Sequence, residues 1–144
     1  MSLFGYHGKI LVADLTRGSV EERALDPGMA ADYLGGRGLA TRIFYDEVDP
    51  LCDPLDGANA VVIATSPLHG STAPTACRGH MVFKSPLSGV IGTSNSGGAW
   101  GSAFKASGYD VLVIKGESGE PVMLDIRPGK AEILPAGSLW GKDT

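Results

Sequence analysis

Two runs in the chain have no polar face. Ala60–Thr65 reads AVVIAT, and Val111–Lys115 reads VLVIK. A strand apolar on both sides needs cover on both sides, so each is expected at the centre of a sheet. The other elements must then supply edges and cover. Lys9–Leu15 (KILVADL) is a strand, Thr16-Arg17-Gly18-Ser19 a turn, and Val20–Leu25 the return arm of a hairpin. Asp26-Pro27 starts a helix, with a capping carboxylate followed by proline at the first helical position. Met29, Ala30, Tyr33 and Leu34 follow at helical spacing, and Gly35-Gly36 stops the run. A second helix is expected over Leu39–Glu47, then a loop over Val48–Asn59 broken by Pro50, Pro54 and Gly57.

Ser66–Cys77 is rich in small residues and prolines and reads as a shaped loop. Strands follow at His80–Lys84 and Val90–Ser94, and a short helix over Trp100–Ser107 ends at Gly108. Val122–Ile126 and Ala131–Leu134 form a second hairpin about Arg127-Pro128-Gly129-Lys130, and a helix start is expected near Ser138. Strands that mostly follow one another through turns, with two helical insertions, predict an α+β fold. The expected architecture is a β-rich base domain with hairpins and a few short helices, incomplete because the chain stops in mid-element at Thr144.

Composition narrows the function. Charged residues make up 19% of the 144, against roughly 25% in soluble domains, which fits a surface largely covered by something else. The net charge is −4 and no Lys/Arg cluster occurs, which argues against nucleic acid. Cys52 and Cys77 alone cannot hold an iron–sulfur cluster or a closed zinc site. No apolar run reaches the ~20 residues of a membrane span, and the N-terminus has no signal-like apolar region. A cytoplasmic location without membrane contact is expected.

The stretch Ala73–Gly101 carries the candidate chemistry. In Thr93-Ser94-Asn95-Ser96-Gly97-Gly98, the two glycines let backbone N–H groups approach an anion, and the Asn95 carbonyl suits a hard cation such as Mg²⁺. The same loop also reads as a plain strand-to-helix turn, without the lysine of a P-loop. Arg78 stands between a small-residue loop and an apolar strand. It reads as a phosphate or carboxylate ligand, or as half of a structural ion pair. Arg37, in Tyr33-Leu34-Gly35-Gly36-Arg37-Gly38-Leu39-Ala40, could face an anion, but an exposed arginine in a helix–helix connection is the plainer reading. His7, His69 and His80 show no metal-ligand spacing. Lys84 and Lys105 are expected in solvent, although Lys84, just before Ser85-Pro86, could face a phosphate; no Ser/His/Asp or paired-carboxylate order names a catalytic residue.

These motifs resemble a known family. The segment Tyr33–Ala40, Pro74-Thr75-Ala76-Cys77-Arg78, Lys84-Ser85-Pro86-Leu87-Ser88-Gly89, Ser94-Asn95-Ser96-Gly97-Gly98, Gly108-Tyr109-Asp110 and Trp140-Gly141-Lys142 are similar, in order and spacing, to the N-terminal domain of tungsten-containing aldehyde ferredoxin oxidoreductases. The resemblance implies a tungsten or molybdenum bis-pterin cofactor and oxidation of an aldehyde to a carboxylic acid. Ferredoxin would accept the electrons. It implies Arg78 between the cofactor and a [4Fe-4S] cluster whose ligands lie outside this chain. It implies Asn95 binding, through its backbone carbonyl, a Mg²⁺ that bridges the pterin phosphates, with Ser96, Gly97 and Gly98 against the cofactor. Cys77 departs from the family, which commonly has glycine there.

On this resemblance, residues 1–144 are the N-terminal part of the cofactor-binding domain, and C-terminal helical domains of the same protein would cover it. Alone, the fragment is expected to be inactive and prone to self-association. Two other readings stand beside it. One is a free-standing anion- or nucleotide-binding module without catalysis; the other is a related tungsten subunit that reduces aromatic thioesters or acids.

Overall fold

The computed structural model describes residues 4–143. It is α+β: a six-stranded sheet, a separate two-stranded hairpin and three short helices. β1 (Lys9–Asp14) and β2 (Ser19–Ala24) form the first hairpin. α1 (Pro27–Tyr33) begins at Asp26, whose carboxylate accepts the Met29 N–H. α2 (Gly36–Glu47) follows after a break at Leu34 and Gly35. β3 (Ala60–Ala64), β4 (Gly79–Lys84), β5 (Ile91–Ser96), α3 (Trp100–Ala106) and β6 (Val111–Lys115) come next. β7 (Val122–Arg127) and β8 (Lys130–Pro135) make the second hairpin.

The sheet order is β2-β1-β6-β3-β4-β5. Both fully apolar runs, β3 and β6, are central, as their composition demands. β1 and β6 run parallel, and the other pairings are antiparallel. Strand alternation splits the apolar residues into two cores. Ile10, Val12, Val62, Val82, Val111 and Val113 pack under Leu39, Ile43 and Phe44 of α2. On the other face Leu11, Tyr109 and Leu112 pack with Phe104 of α3 and with Leu124 and Ile126 of the β7–β8 hairpin. Each large apolar side chain buried this way contributes roughly 1.5–3 kcal/mol.

Four local expectations are corrected. α2 starts at Gly36, three residues before the expected Leu39, because the Gly36 N–H donates to the Thr65 carbonyl at 2.9 Å and pins the helix start to the end of β3. The segment near Ser138 is a turn, not a helix. Asn95 and Ser96 belong to strand β5 rather than to a loop. Their low intrinsic strand preference is overridden by continuous pairing with β4, Gly79 opposite Ser96 and His80 opposite Asn95. Lys105 is buried, with 6% of its surface exposed, and pairs with buried Asp110.

This topology gathers five ends at one edge of the core. The C-termini of β3 and β5 meet the N-termini of β4, β6 and α2.

Candidate functional site

A cleft of about 340 Å³ opens where those ends meet. The start of α2 gives one wall, with Gly35, Gly36 and Arg37. The Ser66–His69 loop gives the second, and Thr75, Ala76, Arg78 and His80 the third. Gly36 permits the close approach. Its φ is +53°, and a Cβ there would stand 3.0 Å from the His80 ring. His80 sits on β4, directly beneath.

Arg78 lies just before β4, exposed, and its Nη1 donates to the Asn95 side-chain oxygen. The stretch Ala73–Gly101 therefore folds back on itself. Arg78 and Asn95 are neighbours across the β4–β5 ladder, not opposite ends of a long bed. Alternation along β5 turns the side chains of Asn95 and Ser96 to opposite faces of the sheet, so the two cannot share a ligand through side chains alone. Gly97 and Gly98 follow at the strand's end. A Cβ at either would meet no heavy atom within 4 Å, which leaves that backbone open.

The remaining candidates divide cleanly. His69 is buried, and its Nδ1 accepts the Ser66 N–H at 3.0 Å, which leaves the proton on Nε2. Burial first, and Lys105 second, hold its pKa below the usual histidine value. Burial also depresses His80, with Arg37 and Arg78 adding repulsion. Both rings are neutral at pH 7. The Lys84 Nζ is not free in solvent; it donates to the Pro50 and Cys52 carbonyls and ties the Val48–Asn59 loop to β4. His7 contributes a backbone N–H to Asp110. Cys77 is half-buried and does not line the cleft. Arg37, which sequence alone treats as an ordinary exposed residue, stands in the same cleft as Arg78. Its signal was position: the second residue of a helix entered through two glycines.

No Asp or Glu lines the cleft, and among the described residues neither Arg37 nor Arg78 pairs with a carboxylate. Among the described residues no group of three His, Cys, Asp or Glu side chains could hold a metal ion. The donor set suits an anionic group bearing its own metal ligands, rather than a bare metal. A phosphate-bearing cofactor fits the site on those grounds.

The model of the aldehyde ferredoxin oxidoreductase N-terminal domain matches residues 10–144. The chain belongs to that family. It is 41% identical over 140 residues to the tungsten-containing aldehyde ferredoxin oxidoreductase of Pyrococcus abyssi, covering 97% of this chain and 23% of that protein. It is 38% identical to the WOR-like subunit of an aliphatic sulfonate oxidoreductase of Pyrococcus furiosus, covering 96% of this chain and 22% of that one. Its fold matches a chain of the active-site complex BamBC of benzoyl coenzyme A reductase, solved with 1,5-dienoyl-CoA, at a TM-score of 0.93 and 36% identity. That match covers 96% of this chain and 21% of the other. The chain thus spans under a quarter of the length of each of these three relatives. No helix among the described residues is long and apolar enough to cross a membrane.

Proposed function

We propose that this domain is the cofactor platform of a tungsten oxidoreductase that converts aldehydes to carboxylic acids and passes two electrons to ferredoxin. The observation that carries the reading is the cleft without carboxylates, with Arg78 on its wall bonded to Asn95 on β5, in a chain of this family. When bound, a bis-pterin metal centre supplies the redox chemistry: water provides the added oxygen, and the aldehyde loses two electrons. The residues of this chain hold and orient. Arg78 has donors left over after Asn95 that would hold a pterin edge or phosphate, and it would stand between the cofactor and a [4Fe-4S] cluster whose ligands lie outside residues 1–144. Asn95 would hold Mg²⁺ through its backbone carbonyl, and the open backbone of Ser96, Gly97 and Gly98 would admit phosphate.

The helical domains of the same protein would close the substrate site and contribute the acid–base group. A cytoplasmic setting accords with two free cysteines. A second reading keeps the platform and changes the substrate. The likeness to the benzoyl coenzyme A reductase chain favours a subunit that reduces aromatic thioesters or acids.

Metal and pterin analysis of the whole protein, purified without oxygen, is the test. Tungsten or molybdenum with pterin is expected, and absence of all three sinks the proposal. Arg78→Ala should lower cofactor content or slow electron exit; wild-type values for both would remove the role given to Arg78. Assays of aldehyde oxidation against aromatic thioester reduction separate the two substrate readings.

A further inference from the structure

Arg78 alone does not account for the cleft. Arg37 lines the same cavity from the opposite wall, on the first turn of α2. α2 is 12 residues long and enters through Gly35 with no side-chain cap, so its first turn adds partial positive charge on the same side. The His80 ring beside them is held below the usual histidine value by burial first, and then by Arg37 and Arg78. Both arginines are exposed side chains lining one cleft that has no carboxylate, so their positive field there is not offset by a neighbouring acid. The planar fork of each suits phosphate.

We infer that Arg37 and Arg78 form a two-arginine clamp for one phosphate group, with Arg37 as a second anchor that sequence comparison by motif leaves unassigned. The inference rests on the platform reading for the identity of the ligand, but not for the site itself. The phosphate has two sources: the pterin cofactor, or a separate phosphate-bearing molecule such as a substrate. Asn95 fixes the Arg78 side of the clamp through its hydrogen bond. The His80 ring, packed against Gly36, fixes the spacing between the walls.

The test uses inorganic phosphate as probe and calorimetry as readout, on the whole protein freed of cofactor. Wild type is expected to bind. Arg37→Ala should weaken binding at least about tenfold, the size of one charge-assisted pair. Arg37→Lys should recover part of it, because the charge returns without the fork. Arg37 is exposed, and a thermal melt shows whether each variant folds as wild type. Wild-type affinity in folded Arg37→Ala overturns the inference, as does a wild-type protein that binds no phosphate. Loss with Arg78→Ala but not with Arg37→Ala overturns the clamp and leaves the platform reading standing. Absence of pterin and metal from the wild-type whole protein, with phosphate binding intact, sinks the platform reading and leaves the clamp standing. The source is read from the cofactor-loaded protein: no phosphate uptake there assigns the clamp to the cofactor, and uptake there assigns it to a separate ligand. Each of those outcomes supports the clamp.

Discussion

Asp110 accepts hydrogen bonds from the backbone N–H groups of His7, Gly8 and Lys9 and from the buried Lys105 ammonium. Its own carbonyl accepts from the Thr65 N–H and hydroxyl, and Thr65 in turn holds the start of α2. One residue therefore ties residues 7–9 and α3 through its carboxylate, and the end of β3 with the wall of the cleft through its backbone carbonyl. Asp110→Ala leaves a buried ammonium and three N–H groups without their partner, and should cost about 3–5 kcal/mol in denaturant unfolding. A loss under about 1 kcal/mol would show that water replaces the carboxylate. Lys105→Met should be milder, because the Asp110 carboxylate keeps its three backbone N–H donors. The pair was not legible in sequence: a lysine on a short helix reads as solvated, and nothing local says that the turn through Gly108 brings it onto Asp110.

The histidines beside this knot make stability depend on pH. Folding depresses the pKa of His69 and His80, by burial first in each. A base with a lowered folded pKa binds its proton more weakly folded than unfolded. Its contribution is complete above the unfolded value near 6.5 and is lost as pH falls through the folded value. The denaturant midpoint should therefore drop between pH 7.5 and 5.5, above the range where carboxylates titrate. His80→Gln should flatten part of that slope. An unchanged slope in that variant would assign the effect elsewhere.

At the scale of elements, hairpins and central strands were plain in the sequence, because alternation, turn residues and apolar runs are local signals. The cap at Asp26 was equally plain, and Asp26→Ala should cost about 1 kcal/mol of stability. What local signals did not carry was pairing between distant segments. Nothing in KILVADL marks its parallel partner VLVIK, and Ser94-Asn95-Ser96 has no strand preference of its own. The site suffered accordingly. Arg78, Asn95 and the glycines were picked out as residues, but their adjacency, and the presence of Arg37 beside them, needed β4, β5 and α2 to be set side by side.

One close approach holds that arrangement. The Trp100 indole at the head of α3 lies on Gly79 of β4, so that a Cβ there would fall 2.3 Å from the ring. Gly79→Ala must displace the ring or the strand, at a cost of about 1–3 kcal/mol. In a Trp140→Phe background, Trp100 emission should shift to the red. Unchanged emission and stability would show that α3 moves aside freely.

At the scale of the whole molecule, the apolar surface is uneven. Beyond the cleft, a groove of about 550 Å³ runs between the end of α2 and the β4–β5 turn, lined by Phe44, Tyr45, Val48, Pro50, Val90 and Ile91. Leu87, at the tip of that turn, is 96% exposed, and β5 is an edge strand with one row of backbone groups open. A groove, an edge and an apolar tip on one side are an association surface rather than the scatter normal for a monomer. In the relatives this segment is under a quarter of the protein, so other parts of those chains are available to cover it. The 144-residue chain by itself should then self-associate, with sedimentation that rises with concentration over the micromolar range. Leu87→Lys with Val90→Lys should return it to monomer, since both side chains are exposed and their loss removes apolar surface without opening the core. A wild-type chain that stays monomeric to about 100 μM would mean that the edge and groove are too polar or too narrow to pair. The same double substitution in the whole protein separates covering within one chain from pairing between chains. Lost stability at unchanged mass indicates the first, and lost oligomer at unchanged stability the second.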